Sequence, residues 1–193
     1  MTVVVRWSGA ACVASGVCAV LAMVGFFVVV GSDPIGEAAV LPAFLVPAVA
    51  SLLAVLFLAL GLIGLFLYQQ ATFGSAGVGG FVVALLGTML AAGAAWTYVF
   101  VLPHFARVDP TLVNVGSGGV LAGFLISYGV MALGWIVFGI ATATAGVFGR
   151  RVGVLLAIGG LIAFLPLPSR SLVLSLTVAF LGPRMWRQQA SAP

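Results

Sequence analysis

The sequence predicts an all-α fold, a polytopic transmembrane bundle of six helices whose last two are short. Three observations predict it. First, the chain of 193 residues is 64% hydrophobic and 5% charged, with a mean hydropathy of +1.36. Soluble domains carry about 25% charged residues, so seven basic and three acidic side chains cannot clothe a water-soluble fold of this size. Second, polar clusters cut the chain into apolar runs of membrane-spanning length. Third, the charges sort onto opposite sides once those runs are threaded through a bilayer.

The runs follow in order. A spanning helix needs roughly 17–25 apolar residues. The first run covers Trp7 to Gly31. It is longer than the 7–15 residues or so of a signal-peptide core, so it reads as a retained helix, with cleavage the alternative. Ser32-Asp33-Pro34-Ile35-Gly36-Glu37 breaks it with turn residues. The second run covers Val40 to Tyr68, with Pro42 and Pro47 in its first turns, where a missing N–H is tolerated best. The third runs from Val78 to Leu102 and stops at Pro103; the fourth runs from Gly118 to Phe148 and stops at Gly149-Arg150-Arg151. The fifth, Val152 to Leu165, closes at Pro166-Leu167-Pro168, and the sixth covers Ser171 to Leu181 before Gly182-Pro183-Arg184. Two short spans or a re-entrant hairpin fit those last two runs; the two spans are the preferred reading. Residues 1–186 are then one bundle domain, and 187–193 a disordered cytoplasmic tail.

Six spans put Arg6, Arg150, Arg151, Arg184 and Arg187 on one side, and Arg107 and Arg170 on the other. The positive-inside rule places the larger group, and both termini, in the cytoplasm. All three acids, Asp33, Glu37 and Asp109, fall outside. Trp7, Tyr68 and Trp186 then mark the inner interface, and Trp96 and Tyr98 the outer one. The bilayer is the first partner. Nucleic acid is excluded, because the arginines form no single patch.

The charges also limit the chemistry. Every Asp, Glu, Arg and His sits at or beyond the end of an apolar run. That argues against proton relays, voltage sensors and ion-coupled transport through buried carboxylates. One histidine, His104, excludes bis-histidine haem ligation within the chain, and neither a nucleophile elbow nor a P-loop is present. Cys12 and Cys18 lie about 240° apart on one helix, so they cannot bridge each other and read as small packing residues. No cofactor, metal or catalytic residue is expected.

Two groups of residues are candidate sites. Asp33, Glu37, His104, Arg107 and Asp109 share the outer rim, where they either pin loops together by ion pairing, with Arg170 also available, or line a polar pocket. Thr88, Trp96, Ser127, Tyr128 and Trp135 are the candidate lining of an apolar-ligand cavity; the competing reading is aromatic core packing with Ser127 or Thr88 as hydrogen-bond partner. Gly119, Gly123, Ser127, Met131, Gly134 and Phe138 share one face of the fourth run, and Thr88, Ala91, Ala92 and Ala95 one face of the third. Such faces let helices approach closely within the chain. The alternative is a seam to a second copy or a membrane partner through Gly119 and Gly123.

The run Ala94-Ala95-Trp96-Thr97-Tyr98-Val99-Phe100-Val101-Leu102-Pro103, the later Asp109-Pro110, the Gly-Trp-Ile-Val-Phe-Gly run from Gly134 to Gly139 and the Leu165-Pro166-Leu167-Pro168 turn resemble small multi-pass membrane proteins of high-GC bacteria. The resemblance covers the C-terminal half. It implies a bacterial inner-membrane protein and carries over no catalytic residue. The expected function is non-enzymatic, as an accessory subunit or apolar-ligand binder. The alternative is a membrane-embedded enzyme or small transporter with its site at the outer rim.

Overall fold

The computed structural model describes residues 2–31, 33–114, 118–165 and 170–190. Every regular element among them is helical. The helices are α1 (Thr2–Val29), α2 (Ile35–Ala39), α3 (Leu45–Gln69), α4 (Ser75–Phe100), α5 (Leu102–Val108), α6 (Pro110–Asn114), α7 (Gly118–Ala145), α8 (Arg150–Ala163) and α9 (Leu172–Ala190). Four stretches are long and apolar enough to cross a membrane: Val3–Val29, Pro42–Thr72, Ser75–Val108 and Gly118–Ala145.

Local chemistry sets the ends. Gly31 adopts φ 55°, the left-handed conformation that closes α1. Pro42 opens a 3-10 turn, Pro42–Phe44, that runs into α3. Pro47 lies in the first turn of α3 and packs against Gly25 of α1. At the other end of α3, Phe73 folds back onto Gly77 to make the turn into α4. Asp109 breaks the backbone at φ −159° and caps α6, accepting hydrogen bonds from the Thr111 N–H at 2.9 Å and hydroxyl at 2.8 Å. Gly146 and Gly149, at φ 71° and 84°, turn α7 into α8.

The long helices close a ring. α1 packs on α3 and α9, α3 on α4, α4 on α7, α7 on α8, and α8 on α9. The short helices α2, α5 and α6 pack on one another over one end, here the cap end. The opposite, terminal end carries the first residues of α1 and the last described residues of α9.

Glycines let these backbones touch. Gly87 of α4 lies on the backbone of Met131, and Gly134 of α7 on that of Ala84. Gly139 and Gly153 bring α7 and α8 together in the same way. Contacts between backbones give van der Waals energy that lipid cannot match. Hydroxyls add to it: Ser15 donates to the Ala54 carbonyl at 2.8 Å and lies 3.0 Å from the Ser175 hydroxyl, joining α1, α3 and α9. Trp135 Nε1 donates to Thr88 Oγ1 at 3.0 Å, joining α7 to α4.

Of the last two helices, α8 is as short as expected and α9 is longer. α8 has 14 residues, about 21 Å, and falls short of a hydrocarbon core of about 30 Å. α9 has 19 residues and continues across Gly182 and Pro183, where the sequence reading ended the run. Gly182 packs on the Gly9 carbonyl, so burial against α1 supports the helix past the proline. The Pro166-Leu167-Pro168 turn, Ser32, the Gly116-Ser117 pair, residues 191–193 and the side chains of Trp186 and Arg187 lie outside the described residues.

The small-residue face of α7 is also only half right. Met131, Gly134 and Phe138 are buried against the bundle. Gly119 and Gly123 have open space where a Cβ would stand. No described residue packs on them, and α8, which packs on α7 further along, ends with Phe164 level with Gly129.

Candidate ligand cavity

A cavity of about 300 Å³ lies inside the cap half of the ring. Phe26 lines it from α1, Val30 from just past α1, Ile35 from α2, Ser51 and Val55 from α3, and Ala95 and Tyr98 from α4. Tyr128 and Met131 line it from α7, and Arg170 and Ser171 from the start of α9. Phe26 forms part of an aromatic wall, edge-on to Phe44 at 5.7 Å and to Tyr98 at 6.2 Å.

The cation in this cavity comes from the α8–α9 connection. The Arg170 guanidinium stands 4.3 Å from the centre of the Tyr128 ring. Tyr128 follows Gly118, the first residue of α7, by ten residues, about 15 Å of helix. α8 ends with Phe164 beside Gly129, near the middle of α7, and Arg170, close to that end in sequence, stands beside the Tyr128 ring. The sequence reading put Arg170 on an outer loop, available to pair with an acid. Among the described residues no carboxylate pairs with it.

Two phenols share the space. Neither the Tyr98 nor the Tyr128 hydroxyl donates a hydrogen bond to a described residue. Both rings are largely enclosed while lining the cavity. An aromatic wall with free hydroxyls and one guanidinium is suited to an amphipathic ligand: apolar surface for a chain, donors for a polar head.

Of the residues expected to line a cavity, Tyr128 lines this one, and Thr88, Trp96, Ser127 and Trp135 do not. Thr88 and Trp135 are fully buried and bonded to each other, and Thr88 also donates to the Ala84 carbonyl at 2.6 Å. Ser127 donates to the Gly123 carbonyl of its own helix at 2.8 Å. Trp96 is 49% exposed and packs on Phe100 at 5.1 Å, on the outside of the ring. A helical wheel separates faces, but it does not show which face meets a neighbour.

The rim residues sit on the cap. Asp33 follows α1, Glu37 is on α2, His104 and Arg107 are on α5, and Asp109 caps α6. Asp33, Glu37, His104 and Arg107 are exposed. Among the described residues no three His, Cys, Asp or Glu side chains stand close enough to hold a metal. The Asp109 carboxyl is held below its ordinary range by the hydrogen bonds from Thr111. Arg170, Tyr98, Ser51 and Val55 were missed. The available signal was an arginine in the connection between two runs too short to span.

No family model, curated protein or solved structure matches the chain.

Proposed function

We propose that this chain is a six-span, multi-pass protein of the bacterial cytoplasmic membrane, with both termini in the cytoplasm. It holds an amphipathic ligand in the cap-end cavity and is not an enzyme. One observation carries the reading: a cavity of about 300 Å³ with a guanidinium over a tyrosine ring and tyrosine hydroxyls that donate to no described residue. That volume is at the lower end of the range of about 300–1,000 Å³ for small-molecule sites. The rim residues Asp33, Glu37, His104 and Arg107, exposed on the cap, give no comparable support to catalysis there.

The test is the lipid content of protein extracted in mild detergent. Mass spectrometry should find a bound amphiphile in the wild type and not in Ser51→Phe, which fills the cavity. Equal content in both proteins would remove the reading. Topology has its own test, in a background lacking Cys12 and Cys18. Glu37→Cys should react with an impermeant maleimide in intact cells, and Arg151→Cys only after lysis.

A further inference from the structure

We propose that the cavity binds an anionic single-chain amphiphile, with its head group against Arg170 and the tyrosine hydroxyls and its chain leaving beside Phe27. The inference rests on the ligand-binding reading above and adds the charge, the chain number and the route.

The charge follows from Arg170. An arginine at membrane depth is costly and is normally paired. Here the three acids of the chain lie at the cap, and the one described contact of the guanidinium is the face of Tyr128. A ring face meets one side of a planar guanidinium and leaves its edge N–H donors for an anion. Tyr98 and Tyr128 add O–H donors in the same cavity. A carboxylate or a phosphate satisfies this donor set, whereas an ammonium head is repelled by it.

The chain number follows from size. A space of about 300 Å³ holds a head group and the first part of one chain. The route follows from Phe27, which lines the cavity yet is 75% exposed. Phe26 beside it is buried in the wall. The cavity therefore meets the outer surface of the ring at Phe27. A chain leaving there stays in hydrocarbon while its head remains inside.

The experiment is photo-crosslinking of a diazirine-bearing palmitate to the full-length protein in phosphatidylcholine nanodiscs. Labelling should map to peptides containing Phe27 or Tyr128. Palmitate and hexadecyl phosphate should compete; hexadecanol should compete at least tenfold less well, and hexadecyltrimethylammonium not at all. Arg170→Gln should lower labelling at least tenfold, while Arg170→Lys, which keeps the charge, retains most of it. Thermal melts of both variants exclude loss of fold. Equal competition by hexadecanol would overturn the anionic head group and leave the ligand-binding reading standing. Competition by inorganic phosphate alone would overturn the chain requirement. Absence of specific labelling by either the acid or a diazirine-bearing alcohol would overturn both.

Discussion

The terminal half and the cap half of the ring are built from the same residue types and packed differently. In the terminal half, Phe66 stacks on Phe81 at 4.0 Å, Tyr68 on Phe148 at 5.0 Å, and Gly64 receives Ser8. Glycine steps bring backbones together along α4, α7 and α8. In the cap half the aromatic rings stand as walls around a space, and α7 projects beyond α8 with Gly119 and Gly123 open. The contrast shows that composition does not decide whether such a bundle is solid or hollow. Helix length contributes: α8 ends level with Gly129, and the cavity lies at that level, lined by Tyr128 and Met131.

Breaking the solid half should have the largest effect. Gly134→Val drives a branched side chain into the Ala84 backbone and should cost about 3 kcal/mol of stability. Unfolding by steric trapping in bicelles measures it, and a cost under about 1 kcal/mol would deny the backbone contact. Next is Ser15→Ala, which removes the hydroxyl joining α1, α3 and α9 and should cost about 1 kcal/mol by the same measurement. An unchanged stability would mean that glycine packing alone closes this side.

Smaller effects belong to the cap. The Asp109 carboxyl, held below its ordinary value of 3.8 by Thr111, stabilises the start of α6 in its charged form. That contribution is complete above the ordinary value and is lost as pH falls through the lowered one. Exchange protection of the residue 111–114 amides, corrected for intrinsic rates, should hold above the ordinary value of 3.8 and fall as pH drops below it, with no such fall in Asp109→Asn. Smallest of all is Gly123→Leu, which adds a side chain in open space and should leave stability within about 0.5 kcal/mol of wild type. A larger loss would place a neighbour against that face.

Much of the fold was legible and most of the site was not. The long apolar runs became α1, α3, α4 and α7 because a spanning helix must satisfy its backbone internally, and that requirement is local. The Trp135–Thr88 bond was among the readings because an indole N–H in an apolar core needs an acceptor. Ser51 and Val55 gave no sequence signal, since each is an ordinary residue of an apolar helix until a neighbour fails to cover it, and Tyr98 read only as a marker of the outer interface. Trp96 misled for the same reason: its chemistry suits a cavity, but its face of α4 points out of the ring.

The sequence by itself determined that this chain is all helix, that four of its stretches match the thickness of a membrane, and that its charges gather at helix ends. These follow from composition and run length, which every residue carries with it. Only the tertiary structure decided that α8 stops level with Gly129, and that Arg170 comes to rest over Tyr128 inside the ring. Depth is a relation between neighbouring helices, and a single run of residues does not contain it.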